Sequence, residues 1–227
     1  MTEFIEKLGF ETSLFNYSVG KVQITDLDQL NELKGYRLVY LRPANSQIDN
    51  ELHKIYSQRY VKISLKATLE HVNEVDPNVT SLSNSNLTEE ILQLSYQSGY
   101  LSRFLLDKNF VQKEFYLLYK KWIENSLNGQ IAHEVLGYRL YGRIIGLITL
   151  KESHNHCNIG LLAVDEEFRG QKIGKKLIGA AISFCQKREK ITLTVSTQET
   201  NYSALKFYKR YGFDIYKKEI IYHHWNN

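Results

Sequence analysis

The second half of the chain arranges its short apolar segments in an order that few folds can accommodate. After Gly129, three segments with strand-like patterns follow one another across short turns, at residues 134–141, 144–151 and 157–164. A turn at Gly142-Arg143 makes the first two a hairpin. A basic turn and a helix come next, and then a strand, a second helix and a final strand at residues 214–225. The order predicts an α/β fold.

The basic turn is the most informative segment of this half. The stretch "FRGQKIGKKLIGAA", residues 168–181, combines glycines with four cationic side chains. Exposed backbone N–H groups and the positive end of a helix dipole meet at such a turn, and both attract anions, so the stretch predicts a phosphate site. A Walker A loop is excluded, because Gly170 and Gly174 are one residue too close and Lys176 replaces the hydroxyl residue. No Gly-x-Gly-x-x-Gly follows any strand.

Within that stretch, "RGQKIG" at residues 169–174 resembles the pyrophosphate loop of the GCN5-related N-acetyltransferase (GNAT) superfamily. Arg169 and Gly174 match the family pattern, whereas Lys172 stands where the family usually has glycine. Lysine keeps its backbone N–H but does not readily adopt a positive φ. We therefore expect the loop to be right-handed at Lys172, or slightly strained there.

Two further segments resemble the same family. The stretch "IGLLAVDEEF", residues 159–168, is similar to the family's fourth strand, and "TNYSALKFYKRYGF", residues 200–213, is similar to its Asn-x-x-Ala-x-x-Phe-Tyr-x-x-x-Gly-Phe pattern. The resemblance covers residues 130–225 and implies the GNAT fold, a mixed and mostly antiparallel central sheet flanked by helices. It also implies binding of acetyl-CoA as co-substrate. The residues it implies for that binding are Leu162, Ala163, Val164, Arg169, Gly170, Gln171, Lys172, Ile173, Gly174, Lys175 and Asn201.

The chemistry of acetyl transfer explains why such residues are needed. Attack of an amine on a thioester creates an oxyanion, which a backbone N–H near Leu162 to Val164 can stabilise, and expels a thiolate that needs a proton. Tyr208 falls on the motif position for the acid, and a phenol is protonated at pH 7. Phe207 is expected only to pack the helix on the sheet. The general base stays open between water and four side chains, those of Glu199, Asp165, Glu11 and His133.

The first part of the chain predicts a smaller α/β module. We divide the chain into residues 1–75, an N-terminal module on the substrate side, 76–129, a linker with helices, and 130–227, the GNAT domain. The predicted strands are 19–25, 36–42 and 60–70, and the predicted helices are 26–35, 45–58, 88–99 and 111–127, with a polar linker at 71–88.

Composition bears on which partners, compartments and metals the chain can have. The net charge of +4 does not select nucleic acid over a phosphorylated small molecule, and we expect no nucleic-acid partner. Two cysteines make no disulfide framework. The start of the chain does not read as a secretory signal and no apolar run reaches membrane-spanning length, so a cytoplasmic protein without membrane insertion is expected. The histidines of "SHNHC" at residues 153–157, with His223 and His224, form no convincing metal-ligand pattern, and we expect no metal.

The acceptor is predicted from segments outside the common core. The stretches "FETSLFNYSVGKV", "SRF" and "FYLLYKKWIENSLNG", together with "IGLLAV" and "STQETNYSALKFY" of the core, resemble the dTDP-fucosamine acetyltransferases. This resemblance implies a nucleotide-linked amino sugar as small-molecule acceptor and a possible homodimer. Arg103 is predicted to clamp a pyrophosphate, and Phe104 to line the substrate site. Two alternatives stay open: acetylation of a protein N-terminus or another small amine, and a non-catalytic acyl-CoA-binding module.

Overall fold

Ten strands form one sheet in the computed structural model, which describes residues 4–69 and 74–226. The strands are β1 (Glu6–Lys7), β2 (Val19–Ile24), β3 (Leu38–Pro43), β4 (Tyr60–Thr68), β5 (Val79–Ser81), β6 (Glu134–Leu140), β7 (Arg143–Glu152), β8 (His156–Val164), β9 (Thr192–Gln198) and β10 (Asp214–Trp225). The helices are α1 (Gly9–Phe15), α2 (Ser46–Ile55), α3 (Glu89–Gly99), α4 (Arg103–Leu106), α5 (Gln112–Leu127), α6 (Ile173–Gln186) and α7 (Tyr202–Arg210). Two short 3₁₀ helices cover Leu27–Glu32 and Glu166–Phe168.

The sheet is mixed and mostly antiparallel, which confirms the predicted fold class. Its order is β1-β2-β3-β10-β4-β9-β8-β7-β6-β5, and only β2 with β3 and β8 with β9 pair in parallel among the described strands. The strands of residues 1–75 hydrogen-bond into the same sheet as those of 130–227, because β4 lies between β9 and β10. The sheet is therefore continuous across the division at residue 75, and the assignment of the first 75 residues to the substrate side stays a prediction.

Helices cover both faces of the sheet. The apolar sides of α3 and α5 pack on one face through residues such as Leu94 and Leu118, and α6 packs on the other through residues such as Leu177. A third cluster buries Leu52 of α2 against β2 and β3. Thr88 begins α3 by accepting a hydrogen bond from the Ile91 N–H, as an N-cap threonine does.

The hairpin of β6 and β7 forms as predicted, but its turn lies one residue earlier, at Tyr141 and Gly142, because Arg143 already pairs with Leu140. Tyr141 and Gly142 adopt φ values of 51° and 79°, so both central residues of the two-residue turn are left-handed. This is the geometry of a type I′ turn, whose twist matches that of the paired strands. The third strand of the pattern, β8, then pairs with β7.

Several predicted elements differ from the structure. The helix predicted at 26–35 is a 3₁₀ helix, Leu27–Glu32, which begins at the capping box of Asp26 and Gln29. The linker predicted at 71–88 contains β5, which pairs with β6, while residues 70–73 lie outside the described residues. The short helices α1 and α4 were not expected, since four to seven residues carry too little helical periodicity to be recognised.

Candidate active site

A cleft opens in the sheet where two parallel neighbours part. β8 and β9 pair as far as Ile159 and Val195, and from there β8 continues to Val164 and β9 to Gln198 without pairing to each other. The backbone of β8 beyond Ile159 therefore has an open edge toward the cleft. An open strand edge offers N–H and C=O groups to an extended ligand.

A bulge in β8 lies at the point of divergence. Ile148 pairs with Leu162 whereas Leu150 pairs with Ile159, so two residues of β8 stand opposite Thr149. The Thr149 Oγ1 accepts a hydrogen bond of 2.8 Å from the Leu161 N–H. A Cβ at Gly160 would lie 2.7 Å from the same oxygen, so glycine makes this contact possible. The bulge bends β8 away from β9, as bulges do.

The loop before α6 presents a row of free donors. None of the backbone N–H groups of residues 170–175 donates a hydrogen bond to another group in the described part of the chain, and the first bond of the helix runs from the Lys176 N–H to the Lys172 carbonyl at 3.2 Å. Lys172 is the N-cap and has no side-chain acceptor to offer. An uncapped helix N-terminus with free N–H groups is an anion site.

The same loop contains two left-handed residues. Gly170 has φ of 83°, and Lys172 has φ of 64°. Of the two conformations expected at Lys172, right-handed or slightly strained, the structure shows the strained one, since a left-handed lysine is mildly strained. Arg169 points back from this loop: its Nε lies 3.1 Å from the Val164 carbonyl oxygen and its Nη2 lies 3.3 Å from the Gln97 Oε1.

The open edge of β8 and the loop line one cavity of about 410 Å³, which we call the loop cavity. Its lining includes every residue that the sequence resemblance implied for acetyl-CoA binding, except Gln171. Asn201 also caps α7, because its Oδ1 accepts from the Ala204 N–H at 3.1 Å. The ring of Phe207 packs against Gly174, where a Cβ would lie 3.0 Å away, so Phe207 packs α7 on α6 as expected.

Tyr208 lies where the loop cavity meets a second cavity of about 330 Å³, which we call the inner cavity. Five residues line both cavities: Ser98, Leu162, Asn201, Ala204 and Tyr208. The ring of Tyr208 packs 5.4 Å from that of Phe213, and no described residue hydrogen-bonds to the phenol. Burial raises the pKa of Tyr208 above its usual value, so the phenol keeps its proton.

Arg103 and Phe104 both line the inner cavity. The Arg103 guanidinium lies 4.0 Å from the centre of the Tyr40 ring, and its Nη1 lies 2.8 Å from the His223 Nε2. Phe104 is buried and packs edge-on against Trp122 at 5.8 Å, so it also belongs to the core. Their roles toward a substrate stay predictions.

A buried network behind Arg103 was not expected from the sequence. The Asp107 carboxylate lies 2.6 Å from the His223 Nδ1 and accepts from the Trp225 Nε1 at 2.8 Å. Burial lowers the pKa of His223 to about 4, with the Asp107 hydrogen bond opposing and the Arg103 charge adding to the effect. Burial would raise the pKa of Asp107, but hydrogen bonds from His223, Asn109 and Trp225 hold it below its usual value. His223 is therefore neutral, donating to Asp107 and accepting from Arg103.

The four side chains considered as general base lie elsewhere. Glu199 lines another cavity and pairs with Lys218 at 3.1 Å. Asp165 accepts from the Glu167 N–H, and His133 accepts from the Glu152 N–H. Neither these nor Glu11 lines the inner cavity, whose described titratable lining residues are Arg42, Lys62, Arg103, Tyr119 and Tyr208.

Two further findings concern metal ligands and membrane spans. No three metal-ligating side chains cluster among the described residues, where His223 is engaged as above and His224 Nδ1 lies 2.6 Å from the Tyr56 hydroxyl. No helix in residues 4–69 or 74–226 combines the length and the hydropathy of a membrane span. Cys157 and Cys185 are buried free thiols.

The sequence matches one family model and is similar to several curated proteins. The sequence model of the acetyltransferase (GNAT) family matches residues 89–213, more than half of the chain. The chain is 28% identical over 138 residues to the spore coat polysaccharide biosynthesis protein SpsD of Bacillus subtilis, covering 61% of this chain and 47% of that protein. It is 36% identical over 99 residues to the dTDP-fucosamine acetyltransferase of Escherichia coli, covering 43% of this chain and 42% of that protein. The matches thus span less than half of these relatives.

A solved structure shares the fold. The PaiA N-acetyltransferase from Thermoplasma acidophilum, in complex with coenzyme A, superimposes with a TM-score of 0.52 at 20% identity, covering 65% of this chain and 98% of that chain. This likeness concerns the architecture alone, because the identity is low.

Proposed function

The chain belongs to the acetyltransferase (GNAT) family, and we propose on that premise that it transfers an acetyl group from acetyl-CoA to the amino group of a nucleotide-linked amino sugar. The observation that carries the proposal is the row of free N–H groups at residues 170–175, next to the open edge of β8. Both features line the loop cavity together with Tyr208, which also lines the inner cavity. Such an arrangement suits a ligand with a pyrophosphate at one end and a reactive group at the other.

The residues of the loop cavity fit acetyl-CoA. The N–H groups of residues 170–175 would hold the pyrophosphate, and the cations Lys172 and Lys175 lie beside them in the cavity lining. The edge of β8 from Leu162 to Val164 would bind the pantetheine amides as an added strand does. Acetyl-CoA supplies an acetyl group activated as a thioester.

Different groups of the chain would stabilise the oxyanion and protonate the leaving thiolate. A backbone N–H of β8 near Leu162 donates to the carbonyl oxygen as negative charge develops on it. Tyr208, which keeps its proton in this buried position, donates it to the departing thiolate. The incoming amine attacks from the inner cavity and loses its proton to water, since no carboxylate or imidazole of the described residues lines that cavity.

The nucleotide-sugar acceptor is supported by the inner cavity and by the relatives. Polar groups of Ser98, Ser196, Gln198 and Arg103 line this cavity, which suits the hydroxyl groups of a sugar. One similar protein is a dTDP-fucosamine acetyltransferase and another belongs to polysaccharide biosynthesis. We infer a 4-amino-4,6-dideoxyhexose linked to a nucleoside diphosphate as the acceptor class.

The test is release of free thiol from acetyl-CoA with two kinds of acceptor. We expect release with dTDP-4-amino-4,6-dideoxygalactose and none with a panel of N-terminal peptides, and a large loss in Tyr208→Phe. Release only with peptides would overturn the sugar acceptor and keep the family reaction. Binding of coenzyme A without release from any amine would favour a non-catalytic module.

A further inference from the structure

A cavity of about 830 Å³ adjoins the inner cavity at a notch in the sheet, and we call it the notch cavity. β3 pairs with β10 only through Leu38 to Leu41, and Pro43, just beyond, has no N–H to continue the ladder. The part of β10 from Asp214 to Ile221 pairs with β4 on one side, and its residues Lys217 to Ile220 line the notch cavity. The apolar residues Phe4, Val22, Pro43 and Ile220 contribute to the lining.

Charge is distributed unevenly in this region. Arg42, Lys62 and Lys217 surround one carboxylate, with nitrogen to Glu219 oxygen distances of 3.8, 3.4 and 3.2 Å. The other ion pairs in the lining of the notch cavity are one to one: Lys21 with Glu6, Arg59 with Asp49, and Lys218 with Glu199. The Glu219 cluster thus carries two uncompensated positive charges. A diphosphate linking a nucleoside to a sugar carries two negative charges, so the two are matched.

Arg42 has donors without acceptors. Its Nε is buried and has no hydrogen-bond partner in the described chain, and its Nη1 is 3.8 Å from Glu219, too far for a hydrogen bond. Buried donors are normally satisfied, so an unpaired one points to a missing acceptor. Arg42 lines both the notch cavity and the inner cavity, and Lys62 lines the inner cavity beside it. Phosphate oxygens are the acceptors that a guanidinium favours.

We propose that Arg42 and Lys62 bind the diphosphate of the acceptor, with its nucleoside in the notch cavity and its amino sugar in the inner cavity. This inference rests on the proposed function. Three strand intervals separate β3 from β9, or about 14 Å, a span that a nucleotide sugar covers and a free amino sugar does not. In this proposal Arg42 takes the diphosphate contact that the sequence predicted for Arg103, whose guanidinium lies over Tyr40 and bonds to His223.

The experiment is calorimetric titration of dTDP into the full chain. Saturating coenzyme A keeps dTDP away from the N-terminus of α6. We expect Arg42→Met and Lys62→Met each to raise the Kd by about tenfold or more, the effect of losing a charged hydrogen bond. Glu219→Gln, which removes the competing carboxylate, should lower the Kd. The control is Arg188→Met: Arg188 pairs with Glu152 at 3.4 Å, is similarly exposed, and lines none of the three cavities.

The outcomes separate this inference from the proposed function. Equal Kd values for the wild type and a folded Arg42→Met, or no dTDP binding at all, would overturn the diphosphate site. Acetylation of the nucleotide sugar with an unchanged KM in Arg42→Met would also overturn it while the function stands. Loss of dTDP binding in Arg42→Met, together with acetyl transfer only to peptides, would keep the site and overturn the acceptor. Thermal unfolding of each variant shows that it is folded.

Discussion

The Nε2 of His223 lies 2.8 Å from the Nη1 of Arg103. Because Arg103 can only donate, His223 must accept with this nitrogen, and its other nitrogen therefore carries the proton toward Asp107. The neutral ring holds the guanidinium in the wall of the inner cavity. His223 is a positioning residue on this geometry, since it does not line the cavity itself.

We expect His223→Phe to raise the KM for the acceptor about tenfold while kcat and the KM for acetyl-CoA change little. The phenyl ring fills the space but cannot accept the Arg103 hydrogen bond. His223→Gln, which keeps an acceptor, should recover part of the loss. His224→Gln is the control, because His224 contacts Tyr56 instead. Equal loss of kcat in both His223 variants would contradict a positioning role.

Stability should fall with acidity between pH 6.5 and 4. The pKa of His223 is lowered from 6.5 to about 4 by burial, so below pH 6.5 the unfolded chain binds a proton that the folded chain excludes. With respect to His223, the free energy of unfolding is highest above pH 6.5 and decreases by up to about 3 kcal/mol toward pH 4. Urea unfolding across this range measures it. His223→Gln should show a flatter profile, whereas parallel profiles would contradict the assignment.

Tyr208→Phe should lower kcat by about 100-fold or more, the usual contribution of a general acid. The ring contacts to Phe207 and Phe213 remain, so the Kd for coenzyme A should stay within about twofold of the wild-type value. Tyr202→Phe is the matched control on the same helix, since Tyr202 is 75% exposed. Steady-state thiol release measures kcat, and calorimetric titration of coenzyme A measures the Kd. An unchanged kcat in Tyr208→Phe would remove the acid assignment.

Two substitutions at Lys172 should separate its charge from its backbone strain. Lys172→Ala and Lys172→Gly both remove the cation, so both should weaken coenzyme A binding by a similar factor of about two to ten. Only Lys172→Gly relieves the left-handed φ of 64°, so it should be more stable than Lys172→Ala by roughly 0.5–1 kcal/mol. Equal stability of the two variants would show that the loop is unstrained at this position.

Much of the loop cavity follows from neighbours in sequence. The strand, the loop and the helix around residues 162–175 are contiguous, so their order alone brings the open edge of β8 to the N-terminus of α6. Asn201 and Tyr208 come from the next helix, and their motif spacing indicated the same site. The sequence also predicted most strands, because their alternation is local.

The inner and notch cavities were decided only by tertiary structure. Arg42, Lys62, Arg103 and His223 stand on four separate elements, and no local pattern relates them. They meet because β4 enters the sheet between β9 and β10, which brings N-terminal side chains to the cleft. Local periodicity determines which segments form strands and which turn can bind phosphate. Strand order depends on long-range pairing and burial across the whole chain, and that order selects the side chains that line the inner and notch cavities.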